Sequence, residues 1–139
     1  MRVRKYLEKF SLSLVLRGED HDSSKFSDEE FPAHVAAMET FDDYKYDPNQ
    51  AAKPPCAAAV HHHKCNRHHP EHFADGIEGM NLIDILEMLA DWKSATLNNP
   101  NNLGDIISSI EIATKKYNLS PQLVKILANT VDDYDLNNR

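Results

Sequence analysis

Six of the eight histidines of this 139-residue chain fall in one short stretch, His61 to His72, written HHHKCNRHHPEH. An imidazole is costly in a core unless both ring nitrogens are engaged, and neutral imidazole is the commonest protein ligand for metals. A solvated loop enriched in histidine is the bland alternative. The triplet His61–His63 also resembles a tag fragment, but it lies mid-chain and follows the apolar turn CAAAV. A second constellation is the adjacent pair His21-Asp22, an imidazole and a carboxylate able to hold one divalent ion with mixed N and O donors. Ser24, Lys25 and Phe26 follow it. Lys25 could meet an anionic substrate there, although a solvated lysine is the default for any single Lys.

A third group is acidic. Asp84, Glu87 and Asp91 stand at i, i+3 and i+7, so they share one stripe of a helix. That stripe lies roughly opposite the apolar face, and periodicity alone reads it as a solvated acidic face. Met88, Ala90 and Ala95 flank it, which leaves burial under a second layer open. Cysteine offers less. Cys56 and Cys65 are separated by eight residues, too far for a short zinc-finger pair. One disulfide is arithmetically allowed, but a free intracellular pair is expected in a chain able to build its own core.

These groups must be positioned by helices. Val3, Tyr6, Leu7, Phe10 and Leu14 repeat at helical spacing and give a first helix over residues 3–17 one apolar face, with Gly18 as its stop. Ser27 and Glu30 have capping-box spacing, so a helix starts there, or else near Phe31 with Pro32 in its first turn. Residues 42–55 carry two proline breaks and read as a loop. A short helix follows over CAAAVHHHKC, then a structured loop from Asn66 to Gly79. Asn81 and Asp84 open the clearest helix, with Leu82, Ile85, Leu86, Leu89 and Trp92 on its apolar face. A break at 98–102 precedes a helix marked by Ile106, Ile110, Ala113 and Tyr117. Ser120-Pro121 starts the last helix, holding Leu123, Val124, Leu127 and Val131. The expectation is an all-α chain of about five to seven helices forming one domain over residues 1–139, with a frayed tail over 132–139.

Composition agrees with a single globular domain: 41% of residues are hydrophobic and 27% charged, ordinary values for a length that can bury a real core. The net charge of −7 argues against an extended nucleic-acid surface. No apolar run approaches the roughly 18 residues of a membrane span. The opening MRVRKYLEKFSLSLVLRGED has charges throughout and no small-residue cleavage site, so a cytoplasmic protein is expected.

Taken together, HD…HHHKCNRHHPEHF…LADW resembles the HD superfamily of metal-dependent phosphohydrolases. More closely, HDSSKF, HHKCNRHHPEHF, GMNLIDILEMLADWKSAT and LSPQLVKILANTV look like an uncharacterised family of small HD-like proteins of bacteria and their phages. These stretches span residues 21–131. The resemblance implies an HD-domain-like helical bundle. It matches His21 and Asp22 to the signature pair and Asp91 to the late aspartate. His62, His68 and His69 become the added ligands, with His63 and His72 as second choices. Lys25 and Arg67 would neutralise a substrate phosphate, and Glu87 would orient a ligand or water. The superfamily pattern also has a histidine on the preceding helix. This chain has none before His21; a family-like sequence would place it just before Val3, so a short or altered start is expected.

The implied activity is hydrolysis of a small phosphate ester, a nucleotide among the candidates, by metal-activated water with Asp22, Lys25, Arg67 and Glu87 as the working side chains. The implied cofactor is one or two divalent ions, among Mn, Mg, Zn, Co, Ni and Fe; Asp22 would bridge two. Two other readings stay open: an HD-type di-iron oxygenase, and a metal-binding or interaction module without catalysis. The expected partner is a small phosphorylated substrate, with no membrane and no extended nucleic-acid surface; a homodimer is allowed.

Overall fold

Start and stop signals in the chain divide it into six α-helices among the residues described, which in this computed structural model are 2–39, 56–98 and 105–137. They are α1 (Arg2–Asp20), α2 (Phe31–Glu39), α3 (Ala57–Cys65), α4 (Leu82–Asn98), α5 (Ile106–Tyr117) and α6 (Pro121–Asp133). No strand occurs among the described residues. The loop expected over 42–55 lies wholly outside the described residues, as does the break beyond Asn98.

Caps account for most boundaries. Asn81 Oδ1 accepts from the Ile83 and Asp84 N–H groups, and Asp84 Oδ2 accepts from the Asn81 N–H at 3.0 Å, a reciprocal cap that starts α4. Asp105 and Ser120 accept from the N–H groups of Ser108 and Leu123 and open α5 and α6. Asn118, with φ 53°, ends α5 in the left-handed conformation that Asn tolerates.

One expected boundary differs, and of the two starts offered for the second helix the one near Phe31 is found. Gly18 does not stop α1, which runs on to Asp20; Arg17 and His21 are both held against α4, and that packing carries the helix through a glycine with open space around it. At Ser27–Glu30 only half of a capping box forms. The Glu30 N–H donates to Ser27 Oγ at 3.3 Å, but the Glu30 side chain turns towards α3, and the helix begins at Phe31.

The core sits where α4, α5 and α6 meet. Leu89, Ile106, Ile110, Ala113, Leu119, Leu127 and Val131 are buried together, with Ile85, Trp92, Leu123 and Val124 packed on them. Residues 132–137, expected to fray, finish α6 and fold back in a turn that places Leu136 on this core. α1 packs on the other side of α4. Arg17 meets Asp84 and Glu87, while His21, four residues on, meets Glu87 and Asp91, so the two helices run in the same direction. The N-terminal half of α1 therefore overhangs the start of α4. Its expected apolar face is not covered by the described residues: Val3, Tyr6, Leu7 and Phe10 are all more than half exposed. No described helix is long and apolar enough to cross a membrane.

The segment from Asn66 to Gly79 links α3 to α4 through two 3-10 turns, Pro70–His72 and Gly76–Gly79. Gly79 has no room for a side chain, because a Cβ there would lie 2.8 Å from Phe73 Cβ. Glu71 ties this segment to α5, accepting from Lys116 Nζ at 2.9 Å and from the Tyr117 hydroxyl at 3.0 Å.

Candidate metal centre

Four parts of the chain converge on the face of α4 away from the core. The end of α1 delivers His21. Asp22 follows with φ 59° and ψ 17°, a left-handed backbone that Asp tolerates better than most residues. That reversal starts the 3-10 turn Ser23–Phe26 and brings the Asp22 carboxylate back beside the His21 ring. α3 contributes His62, the segment after it contributes His68 and His69, and α4 contributes Glu87 and Asp91.

Their donor atoms face one another. Asp22 Oδ1 lies 3.2 Å from His62 Nε2 and 3.4 Å from His68 Nε2. His21 Nε2 lies 3.5 Å from Asp22 Oδ2 and 3.6 Å from Asp91 Oδ1. Two overlapping groups, Asp22–His62–His68–His69 and His21–His68–Asp91, each keep one donor atom per residue within 4.8 Å of the others. Donors about 2.0–2.2 Å from a shared ion sit roughly 3–3.5 Å apart, a spacing close to that of the pairs at 3.2–3.6 Å.

Hydrogen bonding separates a ligand set from an ordinary polar cluster. Asp22 Oδ1, His68 Nε2 and His69 Nε2 are buried and make no well-aligned hydrogen bond among the described residues, although Asp22 Oδ1 faces the His62 and His68 nitrogens at 3.2 and 3.4 Å. A buried polar atom left unpaired costs about 1–3 kcal/mol; three such atoms in one cluster fit a cation.

Outside them, the same imidazoles are held by their other nitrogens. His21 Nδ1 lies 3.0 Å and His68 Nδ1 3.2 Å from Glu87 Oε1. His62 Nδ1 lies 2.9 Å from Glu30 Oε2, and His61 Nδ1 2.7 Å from Glu30 Oε1. With Nδ1 protonated and donating to a carboxylate, His21 and His62 each turn an Nε2 lone pair inward, the usual outer arrangement of a metal-bound histidine, and His68 Nδ1 faces the same Glu87 oxygen without an aligned hydrogen bond. Asn66 Nδ2 donates to Ser24 Oγ at 2.6 Å and to the His62 carbonyl at 2.8 Å, fastening the turn after Asp22 to α3.

Charge follows the same plan. Burial pushes the Asp22 carboxyl up, but His62, Lys25 and His21 more than reverse this and hold it well below the usual carboxylate range. Burial and the neighbouring His68, His63 and His62 lower His69 to about 3, and burial with His21 lowers His68, so both are neutral at pH 7. The Asp22 carboxylate raises His62 against the effect of burial, with help from Glu30. Five carboxylates (Asp22, Glu30, Asp84, Glu87 and Asp91) stand against three cations (Arg17, Lys25 and Arg67). One divalent ion offsets that excess of negative charge.

The structure brings together His21, Asp22, His62, His68, His69, Glu87 and Asp91. His63 packs against His69, with ring centroids 4.5 Å apart and planes tilted by 42°, but is in neither donor group. His72 is turned away, with Nδ1 2.7 Å from the Lys64 carbonyl. Lys25 reaches the site but is paired with Asp22 Oδ2. Arg67 does not wait for a phosphate. It donates to both oxygens of Asp84, from Nε at 3.0 Å and Nη2 at 2.9 Å, and lies over the Phe73 ring. Asp84 also accepts from Arg17 Nη2 at 2.7 Å and is fully buried. The acidic stripe is thus no solvated face, because α1 and the Arg67 side chain cover Asp84 and Glu87. A histidine just before Val3 would be no ligand either, being about 27 Å of helix from His21.

Glu30 is the residue that sequence reasoning missed. Its capping-box spacing explained it too early; the signal was a second carboxylate within reach of a histidine triplet. Arg17 hid as the basic end of an amphipathic helix. Both cysteines are free and exposed.

No curated protein and no solved structure gives a significant match to this chain. A family model described as a family of unknown function, DUF5662, matches residues 1–133, and the chain belongs to that family.

Proposed function

We propose that this protein is a metal-dependent phosphohydrolase of the HD type, cleaving a small phosphate ester at a centre built from Asp22, His62, His68 and His69 with His21 and Asp91 beside it. The observation that carries this reading is the convergence of three buried donors without a well-aligned hydrogen bond, Asp22 Oδ1, His68 Nε2 and His69 Nε2, while Glu30 and Glu87 hold the outer nitrogens of His62 and His21. A bound divalent ion supplies Lewis acidity and a water of lowered pKa at neutral pH.

The chain's own residues do the rest. Glu30 and Glu87 fix the tautomers, so no ring must rotate when an ion arrives. Asp22 divides its oxygens, Oδ1 facing His62 and His68, Oδ2 facing His21 and Lys25. Asp91 is the more open carboxylate, 29% exposed, and marks the side from which ester and water enter. Lys25, paired with Asp22 Oδ2, is the cation that would offset charge on an ester held at this centre.

A second reading, metal binding without catalysis, is favoured by the pairing of Lys25, Arg17 and Arg67 with carboxylates, which leaves none of the three free for a phosphate. Elemental analysis of protein loaded with Mn, Zn, Co, Ni, Fe or Mg, followed by a panel of phosphate monoesters, separates the two. Metal with turnover is expected, and Asp22→Asn and His68→Ala should lose both. Metal without turnover of any ester supports the second reading, and wild-type protein that retains no metal removes both.

A further inference from the structure

A cleft of about 410 Å³ lies between α1 and α4 and is walled in part by His21 and Asp91. The rest of its wall is mostly apolar, with Leu14 and Gly18 from α1 and Leu86 and Ala90 from α4. Its one cation is Arg17, and that guanidinium is committed, Nε to Glu87 at 2.6 Å and Nη2 to Asp84 at 2.7 Å. Glu87 is likewise taken up by Arg17 and His21. An anionic group in this cleft would lose water and meet no free counter-ion, and a cationic one would compete with the ion for Asp91, whereas an apolar group would meet side chains of its own kind. The volume is that of a site for one small organic body.

We propose that this cleft receives the body of the ester and selects one that is apolar and uncharged, such as an aryl or alkyl group, with the phosphate turned towards His21 and Asp91. This rests on the metal-centre reading above, and it adds the class of substrate. Polar or anionic bodies, nucleoside polyphosphates among them, fit this wall poorly.

Phosphonates, which bind without being cleaved, test it on the Mn-loaded protein by calorimetry. Phenylphosphonate should bind at least tenfold more tightly than methylphosphonate, and 4-carboxyphenylphosphonate should lose that gain. Ala90→Trp, which fills the cleft, and Leu86→Asp, a polar change at a partly exposed position, should each abolish the phenyl preference while metal content and methylphosphonate affinity stay unchanged. Equal binding of the phenyl and methyl compounds by the wild type overturns the proposal, as does a phenyl preference that survives both substitutions or binding of neither phosphonate. A phenyl preference without turnover of phenyl phosphate upholds the cleft and rejects the hydrolase instead.

Discussion

Glu30 is 3% exposed, yet its two oxygens serve two imidazoles. Burial pushes its carboxyl up, and His61 and His62 more than compensate, so it stays ionised. Glu30→Gln keeps the shape and removes the charge that makes His62 a strong donor. Outer partners of this kind are worth roughly 10–100-fold in metal affinity, and we expect a loss in that range in competition with a chromophoric chelator. Asp84 makes a pH-dependent contribution instead. Burial raises its carboxyl, but Arg67, the Asn81 N–H and Arg17 bring it below its ordinary value. A depressed folded-state pKa stabilises the fold above the unfolded-state value, about 3.9, and loses that effect as pH falls through the folded value. Asp84→Asn should cost about 3 kcal/mol at pH 7, the lower end for a broken buried pair because both arginines keep some solvent. In urea unfolding, the gap between wild type and variant should narrow below about pH 4; a gap independent of pH would mean that the ion pairs do not stabilise the fold. At this scale the ligand types were legible, since imidazole density is a chemical anomaly visible in one dimension. The partners of Glu30, Asp84 and Arg67 were not, because ion pairs across 17 to 67 positions leave no periodic trace.

Helix existence was read well from period and caps, as Asn81 and Ser120 illustrate. The end of α1 was not, because propensity at Gly18 yielded to the pairing of Arg17 and His21 with α4. Caps carry measurable weight: Ser120→Ala should cost about 1 kcal/mol, read as a shift of the urea midpoint with unchanged slope. α4 is the element on which both halves of the molecule depend. Leu89 faces the α5–α6 core while Asp84, Glu87 and Asp91 face α1 and the histidines, so the same turns of helix set core packing and ligand position.

Across the whole molecule, burial is uneven. The α4–α5–α6 layer holds the buried cluster, whereas α1 has no buried residue. Ile110→Ala should therefore cost about 2–4 kcal/mol through lost contacts and a cavity, while Leu7→Lys, at a position 58% exposed, should change stability by less than about 0.5 kcal/mol. Thermal melts of the two variants side by side check this, and a large loss from Leu7→Lys would mean that the α1 stripe is covered in solution. The hydrophobic period of α1 could not reveal its exposure, because a repeat fixes which residues share a side and not whether anything lies against it.

The left-handed backbone at Asp22 has a practical consequence. Only Gly, Asn and a few other residues occupy such a conformation cheaply. Asp22→Gly would thus delete the carboxylate while leaving the chain's path around the bend undisturbed, whereas Asp22→Ala confounds lost chemistry with a distorted corner. The glycine variant is the clean negative control for this protein, a molecule with the native trace and one donor fewer.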